Sequence, residues 1–547
     1  MRWLIIAPLL FVGIFFVYPL VIIFQEGLIT SQQFNIDAFG TVFASTYYRN
    51  TIIFTFWQAL LSTLLTILLA LPGAYVFVRF RFPGKSILSA LISVPFVMPT
   101  VVVAAAFIAM IGNRGLVNVL LMDVFDLNNP PIQIERTLTI ILLAHIFYNY
   151  AVAHRILSSS WTSQSKRFEE AAAVLGARGW QLWWHIRLPL LRPAILSAAA
   201  LIFTYTFTSF GVIVILGGAR FATIEVEIYQ QVTGLLNLPV ASVLSLLQMT
   251  CLFIVLTLHA INQRRNPVDM QGSPSILPHP KHLTEIGMVY GTLILILLLI
   301  TTPIVSLLLR SFITETGFSL SNYLILFENR RGSVLFVAPI EAMRTSLGFA
   351  LIATILSVTF GTIVAQFLHR RQTRLVRVLD PIIMLPLATS AVTLGFGYLL
   401  AFDAPPLNFR SSVWLVPVIH SLVAIPFVIR SILPSLQSIQ PHYEEAARVL
   451  GASPWMVWRL VQLPLISRGL FVGAAFAFAI SLGEFGASVF IARPDSPTLP
   501  IAIFRLLGQP GASNYGQALA MSAILMCVCG IAFLVIERFR KSGFGDF

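Results

Sequence analysis

The stretch EEAAAVLGA at residues 169–177 occurs again as EEAARVLGA at residues 444–452. The offset is constant (445 − 170 = 275), so Gly176 matches Gly451, and each copy runs on without a gap to a Leu-Pro pair that ends at Pro189 or Pro464. Acidic residues favour the N-terminal end of a helix, and glycine favours the left-handed conformation that ends one. Each copy therefore predicts a short helix, with the proline marking the first turn of the next helix.

The rest of the chain predicts a membrane protein. Its 547 residues are 57% hydrophobic and only 10% charged, with a mean hydropathy of +0.87. The apolar residues form blocks of about 20, the length that crosses a bilayer as a helix. The first block is long for a signal peptide and no small-residue cleavage site follows it, so we interpret it as a retained helix. The twelve blocks cover approximately residues 3–24, 52–78, 87–111, 138–157, 193–216, 240–262, 286–309, 345–368, 379–402, 413–433, 469–492 and 517–537.

The repeat extends beyond the two loops and predicts two equivalent halves. His145 matches His420, and Phe210 matches Phe485, at the same offset. Six helices in each half give both halves the same orientation, so they are parallel repeats about an axis along the membrane normal. The predicted fold is an all-α polytopic membrane protein with 12 transmembrane helices in two six-helix halves. Its predicted parts are a first half at residues 1–265 with the repeated loop at 159–192, a cytoplasmic linker at 266–284, and a second half at 285–547 with the repeated loop at 434–468.

The distribution of charge predicts the orientation in the membrane. Lys and Arg number 35 against 22 Asp and Glu, a net charge of +13. When the N-terminus is placed in the cytoplasm, most of the Lys and Arg residues fall in cytoplasmic loops, as the positive-inside rule expects. Both termini and both repeated loops then face the cytoplasm. The basic excess is interpreted as a topology signal and not as a nucleic-acid footprint, and the basic segment at residues 370–377 is expected to contact anionic lipid of the bilayer.

The repeated loop resembles a known signature. It consists of Glu-Ala-Ala, three residues, Gly, nine residues, an aliphatic residue, one more residue and Leu-Pro. This pattern is similar to the motif of permease subunits of bacterial ABC importers. In that family the loop is a coupling helix that docks on a cytoplasmic ATPase. The resemblance assigns this coupling role to Glu169, Glu170, Ala171, Ala172, Gly176 and Pro189, and to Glu444, Glu445, Ala446, Ala447, Gly451 and Pro464.

The resemblance also implies partners, location and a class of solute. Two halves fused in one chain resemble the ferric-iron and thiamine branch, and the motifs at 209–211 and 223–225 are most similar to those of thiamine permeases. The expected fold is that of a type I ABC importer permease in the bacterial inner membrane. The expected partners are two copies of an ABC ATPase and an extracytoplasmic solute-binding protein. The solute is left open between thiamine, ferric iron and another compound.

The sequence lacks the phosphate-binding pattern Gly-x-x-x-x-Gly-Lys-Ser/Thr. Such a loop is needed to hold the phosphates of ATP in this class of ATPase. We therefore expect a transport subunit and not an enzyme, without a cofactor of its own, with ATP and Mg²⁺ bound by the partner ATPase.

A second group of residues is a candidate translocation pathway. Glu484 is an intramembrane acid, which usually faces a cavity or a protein partner, and its repeat mate is Ser209. A hydrogen-bonded structural acid at a helix bend is the alternative. The paired His145 and His420 are expected near the axis, where hydrogen bonds between helices are favoured over a metal site. Weaker candidates are Tyr148, Asn149, Tyr205 and Gln248, whereas Cys251, Cys527 and Cys529 are interpreted as small buried hydrophobic residues.

Two other classes of protein compete with this interpretation. A secondary active transporter can also have two parallel six-helix halves, but it has no use for two matching partner-docking loops. A membrane scaffold or sensor has no reason to duplicate that loop together with the surrounding helices. The duplicated motif therefore favours the importer permease.

Overall fold

The structure is a computed structural model of a chain that is almost entirely helical. It describes residues 4–30, 33–34, 36–164, 167–265, 278–314, 317–329, 333–370, 383–386, 389–403, 405 and 407–540. Most of the predicted linker at 266–284 and most of the basic segment at 370–377 lie outside the described residues.

The first half begins with a long helix and ends with another. Its helices are α1 Ile6–Leu28, α2 Ile36–Ala44, α3 Thr46–Arg79, α4 Lys85–Val97, α5 Thr100–Ile111, α6 Leu116–Phe125, α7 Leu138–Ser163, α8 Arg167–Val174, α9 Trp180–Phe207, α10 Gly211–Leu216, α11 Ile224–Thr233 and α12 Leu238–Arg265. A hairpin of two-residue strands, β1 Ile29–Thr30 and β2 Gln33–Phe34, follows α1.

The second half repeats this order. Its helices are α13 Leu283–Phe312, α14 Ser321–Leu324, α15 Pro339–Arg370, α16 Ala391–Ala401, α17 Leu415–Gln437, α18 Pro441–Val449, α19 Pro454–Gly483, α20 Ser488–Ile491, α21 Leu499–Leu507 and α22 Ala512–Arg540. Here too a two-residue hairpin, β3 Ile313–Thr314 and β4 Gly317–Phe318, follows the first long helix. The matching hairpins show that the repeat includes the segments between the helices.

Among the described residues, eleven helical stretches are long and apolar enough to cross a membrane, and they match eleven of the twelve predicted blocks. The remaining block, 379–402, contains the short apolar helix α16, and residues 379–382 and 387–388 before it lie outside the described part of the chain. The membrane-protein fold with two equivalent helical halves is therefore confirmed.

Three predicted blocks were wrong in one respect, because each is interrupted. The block at 87–111 breaks before Pro99, which has no amide hydrogen and disfavours the helical conformation for Met98 (ψ 134°). The blocks at 193–216 and 469–492 break at residues 208–210 and 484–487, and a short helix follows each break. The chain changes direction at these two equivalent points.

Each half has a core of three tightly packed helices. These are α3, α7 and α9 in the first half and α15, α17 and α19 in the second. A Cβ at Gly73 would clash with Tyr150 Oη, and a Cβ at Gly361 would lie 2.8 Å from a methyl carbon of Val428. Small residues at these crossings allow the close approach that stabilises helix pairs in membranes.

The first helix of each half packs against the other half. Helix α1 contacts α16, where a Cβ at Gly397 would lie 3.1 Å from Pro19 Cβ. It also contacts α15, where the rings of Phe11 and Phe360 are 4.7 Å apart. In the same way α13 contacts α5. Because the first helix of each half packs on the other half, the two halves interlock at their periphery, while shorter helices meet between them.

Candidate functional site

The repeated loops form two helices with the same C-terminal geometry. Helices α8 and α18 end at Gly176 (φ +88°) and Gly451 (φ +83°), in the left-handed region predicted for them. The amide of Ala177 donates to Ala172 O at 2.9 Å, and that of Ala452 donates to Ala447 O at 3.0 Å. Each glycine amide also donates to the carbonyl three residues back. These paired bonds define the Schellman motif, so both loops turn identically.

The first glutamate of the first copy anchors its loop to the membrane helices. Arg187 on α9 donates from Nε and Nη2 to the two carboxylate oxygens of Glu169, at 3.1 and 3.0 Å. Arg79, at the end of α3, lies 3.2 Å from the same carboxylate. The guanidinium of Arg187 also lies over the rings of Tyr75 and Trp183, at 5.2 and 5.4 Å. Only 9% of the Arg187 side chain is exposed, so the bidentate pair is shielded from water.

The second copy has the same anchor with different chemistry. Gln462, the repeat mate of Arg187, donates to Glu444, the repeat mate of Glu169. Gln366 on α15 in turn donates to Gln462 Oε1 at 3.3 Å, and the exposed Arg448 pairs with Glu444 at 3.1 Å. The first glutamate thus contacts α3 and α9 directly in the first copy, and in the second copy it contacts α19 directly and α15 through Gln462.

The other face of each loop helix is exposed. Glu170 and Glu445 lie on the surface, as do Ala171 and Ala446, whereas Ala172 is buried against the protein. The most exposed side chains are an aliphatic pair just before each glycine. Val174 and Leu175 are 88% and 86% exposed, and Val449 and Leu450 are both 87% exposed. We call these four residues the aliphatic tips.

Sequence reasoning missed the aliphatic tips, although the Val-Leu pair is identical in both copies. Four large apolar side chains in water are unfavourable, and such surfaces typically mark sites of protein contact. Their placement at two equivalent loops gives the chain two equivalent apolar contact points.

The expectation for the two prolines is confirmed, with one addition. The α-helical segments Leu188–Phe207 and Leu463–Gly483 carry Pro189 and Pro464 in their first turn, but helical structure already starts at Trp180 and Pro454, so each proline lies inside a longer continuous stretch. Each proline follows a π-helical turn, Trp183–Arg187 or Trp458–Gln462. A proline ring clashes with the carbonyl four residues earlier, and the wider turn accommodates it inside a continuous helix.

Each of the paired histidines bonds within its own half. His145 Nδ1 lies 3.1 Å from Ser62 Oγ, and its Nε2 lies 2.9 Å from Ser209 Oγ. His420 Nδ1 lies 2.8 Å from Ser481 Oγ, and its Nε2 lies 2.8 Å from Ser488 Oγ and 3.1 Å from Glu484 Oε2. The repeat mates Ser209 and Glu484 thus meet the same nitrogen of their histidine.

This geometry favours hydrogen bonding between helices for both histidines. Among the described residues, no group of three or more His, Cys, Asp or Glu side chains is arranged to hold a metal ion. Glu484 accepts from the amides of Ala487 and Ser488 at 2.7 and 3.1 Å, and so caps the turn into α20. Its contacts are those of the structural alternative, and its role in a pathway stays a prediction.

The two halves meet at the centre through aromatic rings. Phe210 stacks on its repeat mate Phe485 with centroids 5.3 Å apart and an interplanar angle of 20°. Tyr229 lies 5.4 Å from Phe210, and its repeat mate Phe504 lies 5.2 Å from Phe485. We call Phe210, Tyr229, Phe485 and Phe504 the axial aromatic cluster. It closes the interface between the halves at the two breaks that follow α9 and α19.

The weaker pathway candidates have mixed environments. Tyr148 and Tyr205 both lie near the ring of Phe96, at 6.4 and 6.5 Å. Asn149 donates to the backbone of its own helix at His145. Gln248 donates to Glu225, a buried carboxylate of the 223–225 motif that was not among the predicted pathway residues.

Comparisons with known proteins agree with this arrangement. The family model described as "Binding-protein-dependent transport system inner membrane component" matches residues 62–267 and again 357–542. A thiamine transport system permease protein of Escherichia coli strain K12 is 29% identical over 516 residues, 92% of this chain and 91% of the relative. A protein of the same description from Haemophilus influenzae is 28% identical and covers 91% of this chain and 90% of the relative.

A solved bacterial ABC transporter involved in the import of the acidic polysaccharide alginate has a TM-score of 0.41 and 20% identity, covering 48% of this chain and 96% of that chain. The family model matches most of the chain in two copies, and both copies contain a loop with the same anchor and the same exposed tips. The chain is therefore a fused, two-half member of the family of binding-protein-dependent transport system inner membrane components, the permeases of ABC importers.

Proposed function

We propose that this permease imports thiamine. The observation that carries the proposal is the end-to-end similarity to permeases described as thiamine transporters, from Escherichia coli to Brucella abortus, where a relative is 25% identical over 505 residues. The similarity covers both halves and the linker region between them. The axial aromatic cluster supports the proposal, because thiamine is an aromatic cation and aromatic faces attract such ions.

The energy comes from a partner ATPase that binds the aliphatic tips. Two equivalent loops suit two copies of the ATPase, one on each half. The tips offer apolar side chains that become buried on docking, and Glu170 and Glu445 lie beside them on the same exposed face. ATP and Mg²⁺ are bound by the ATPase, and this chain is a transport subunit without a catalytic site or cofactor of its own.

Movement passes from the loops to the centre along single helices. Helix α9 carries the anchor Arg187 at one end, and the chain reaches Phe210 just beyond the other. Helix α19 likewise connects Gln462 to Phe485. The 20 residues of Leu188–Phe207 span about 30 Å at 1.5 Å per residue. Rotation of the halves by the ATPases would thus separate Phe210 from Phe485 and open the interface.

The proposed orientation matches this proposed coupling. The coupling loops and both termini lie in the cytoplasm, and the solute-binding protein docks on the opposite face of the inner membrane. Direction arises because the loaded binding protein and ATP favour the outward-open state over the inward-open state.

The test is uptake into proteoliposomes that contain the permease, its ATPase and its solute-binding protein. Labelled thiamine and ferric iron are offered in parallel, with and without ATP. We expect ATP-dependent uptake of thiamine, lost when Glu170 and Glu445 are both changed to Ala. Uptake of iron instead of thiamine would contradict the proposed solute, and uptake without ATP would contradict the importer mechanism.

A further inference from the structure

Among the residues that the structure describes, three carboxylates are buried among the helices near the interface between the halves: Glu225, Glu227 and Glu484. Two of them have partners on both oxygens. Glu227 accepts from the Tyr47 hydroxyl and from Gln231 Nε2, both at 2.7 Å, and Glu484 is bonded as described above. Glu225 is different, because its Oε2 atom has no hydrogen-bond partner in the described part of the chain.

Glu225 is completely buried and is held from two sides. Gln248 on α12, in the same half, donates to Oε1. Ser390, at the N-terminal end of α16 in the other half, lies close to the same carboxyl group. Helix α11, which carries Glu225, packs directly on α16. The carboxylate therefore lies at the contact between the halves, and separation of the halves would uncover it.

The free oxygen has no structural explanation. A buried acid in a membrane protein is unfavourable unless it is paired, and most buried polar atoms in proteins have partners. Gln248 Oε1 is also without a partner among the described residues. An acid kept at such a cost is typical of a site that meets its partner at another stage of the functional cycle.

Glu225 also lies next to the axial aromatic cluster. Tyr229 is four residues further along α11 and so lies one turn away on the same face. Its ring contacts Phe210 and, at 5.8 Å, Phe490 of the other half. The repeat mate of Glu225 is Pro500, so the second half has no carboxylate at the equivalent position.

We propose that Glu225 is the cation-recognising residue of the translocation pathway. It would pair with a singly charged aromatic cation when the halves separate, while the rings of the axial aromatic cluster stack on the solute. With thiamine as solute, which rests on the function proposed above, the positive charge is that of the thiazolium ring. One carboxylate matches one positive charge.

The test is equilibrium binding of labelled thiamine to the permease–ATPase complex in nanodiscs. The complex contains a hydrolysis-deficient ATPase and ATP, without the binding protein. Thiochrome, an uncharged oxidation product of thiamine, is measured alongside. The variants are Glu225→Gln, which keeps the size and the acceptor for Gln248, and Glu227→Gln as the matched control on the same helix.

We expect Glu225→Gln to weaken thiamine binding ten- to a hundredfold and to leave thiochrome binding within about twofold, because only the charge is removed. Glu227→Gln is expected to leave the thiamine-to-thiochrome ratio unchanged. Wild-type thiamine affinity in Glu225→Gln, or equal loss of both ligands, would overturn the inference.

The proposed function is tested separately by wild-type uptake of thiamine. If wild type imports thiamine and the charge dependence is absent, the inference about Glu225 is wrong and the solute stands. If wild type neither binds nor imports thiamine, the proposed solute is wrong, and with it the recognition proposed here.

Discussion

Because the two loop anchors differ in chemistry, we expect the equivalent mutations Glu169→Ala and Glu444→Ala to destabilise their loops unequally. Glu169→Ala leaves the Arg187 guanidinium buried without its bidentate partner, and removal of one member of a buried pair costs about 3 kcal/mol or more. Glu444→Ala leaves neutral Gln462, which retains its bond with Gln366, so the loss is about 1 kcal/mol. The surface pair with Arg448 adds a few tenths at most.

Hydrogen exchange at the loop amides measures this difference. The amides of Ala177 and Ala452 make equivalent bonds, so each reports the opening of its own loop. A difference of about 2 kcal/mol corresponds to roughly thirtyfold faster exchange at Ala177 in Glu169→Ala than at Ala452 in Glu444→Ala. Size-exclusion profiles of both variants serve as the control for global folding.

A double variant separates the cost of an unpaired charge from the loss of a contact. Glu169→Ala combined with Arg187→Met removes both charges, and exchange at Ala177 is expected to return to within about tenfold of wild type. Equal exchange in the two single variants would refute the reasoning. So would a double variant that is no better protected than Glu169→Ala.

Three further predictions follow from the loops and the interface. Leu175→Asp and Leu450→Asp should each weaken binding of one ATPase copy without unfolding the permease; native mass spectrometry with two ATPases still bound to the double variant would contradict this. Gly176→Ala and Gly451→Ala should each destabilise their loop by about 1–2 kcal/mol, because φ of both glycines is near +85°. Faster hydrogen exchange of the loop amides would measure this loss, and asparagine at the same positions should destabilise the loop less. Phe485→Ala should open the axial aromatic cluster and raise ATP-independent efflux of labelled thiamine from loaded proteoliposomes, and efflux at the wild-type rate would count against its closing role.

The sequence was sufficient to predict the features that depend on local or periodic patterns. Hydrophobic blocks of membrane length predicted eleven observed spans, because the bilayer fixes how many residues a helix needs. The glycines at 176 and 451 predicted the left-handed ends of the loop helices, since few other residues adopt that conformation. The constant offset predicted two equivalent halves, and equivalent contacts occur in both.

Other features depend on contacts between distant segments and could not be predicted in this way. Hydropathy alone does not reveal the helix break at residues 208–210, because the segments on both sides of it are apolar. The repeat pairs Phe210 with Phe485 but does not say that they touch, since an axis can relate residues that lie far apart. The free oxygen of Glu225 depends on side chains from α12 and α16, which only the folded structure brings together.

The fused chain gives this permease an asymmetry that a symmetric pair of identical halves could not have. Equivalent positions of the two halves make similar contacts, but their side chains differ. In the second half, Gln462 is the equivalent of Arg187, Glu484 of Ser209 and Pro500 of Glu225. In a symmetric dimer a carboxylate at position 225 would occur twice, and the two like charges close to the axis would repel each other. Their total charge of −2 would also exceed the single positive charge of the proposed solute. Fusion allows the second carboxylate to be replaced by proline while the helix around it keeps its place. On the proposed mechanism, equivalent geometry serves the shared rotation of the halves, and divergent side chains serve a solute that has no symmetry of its own.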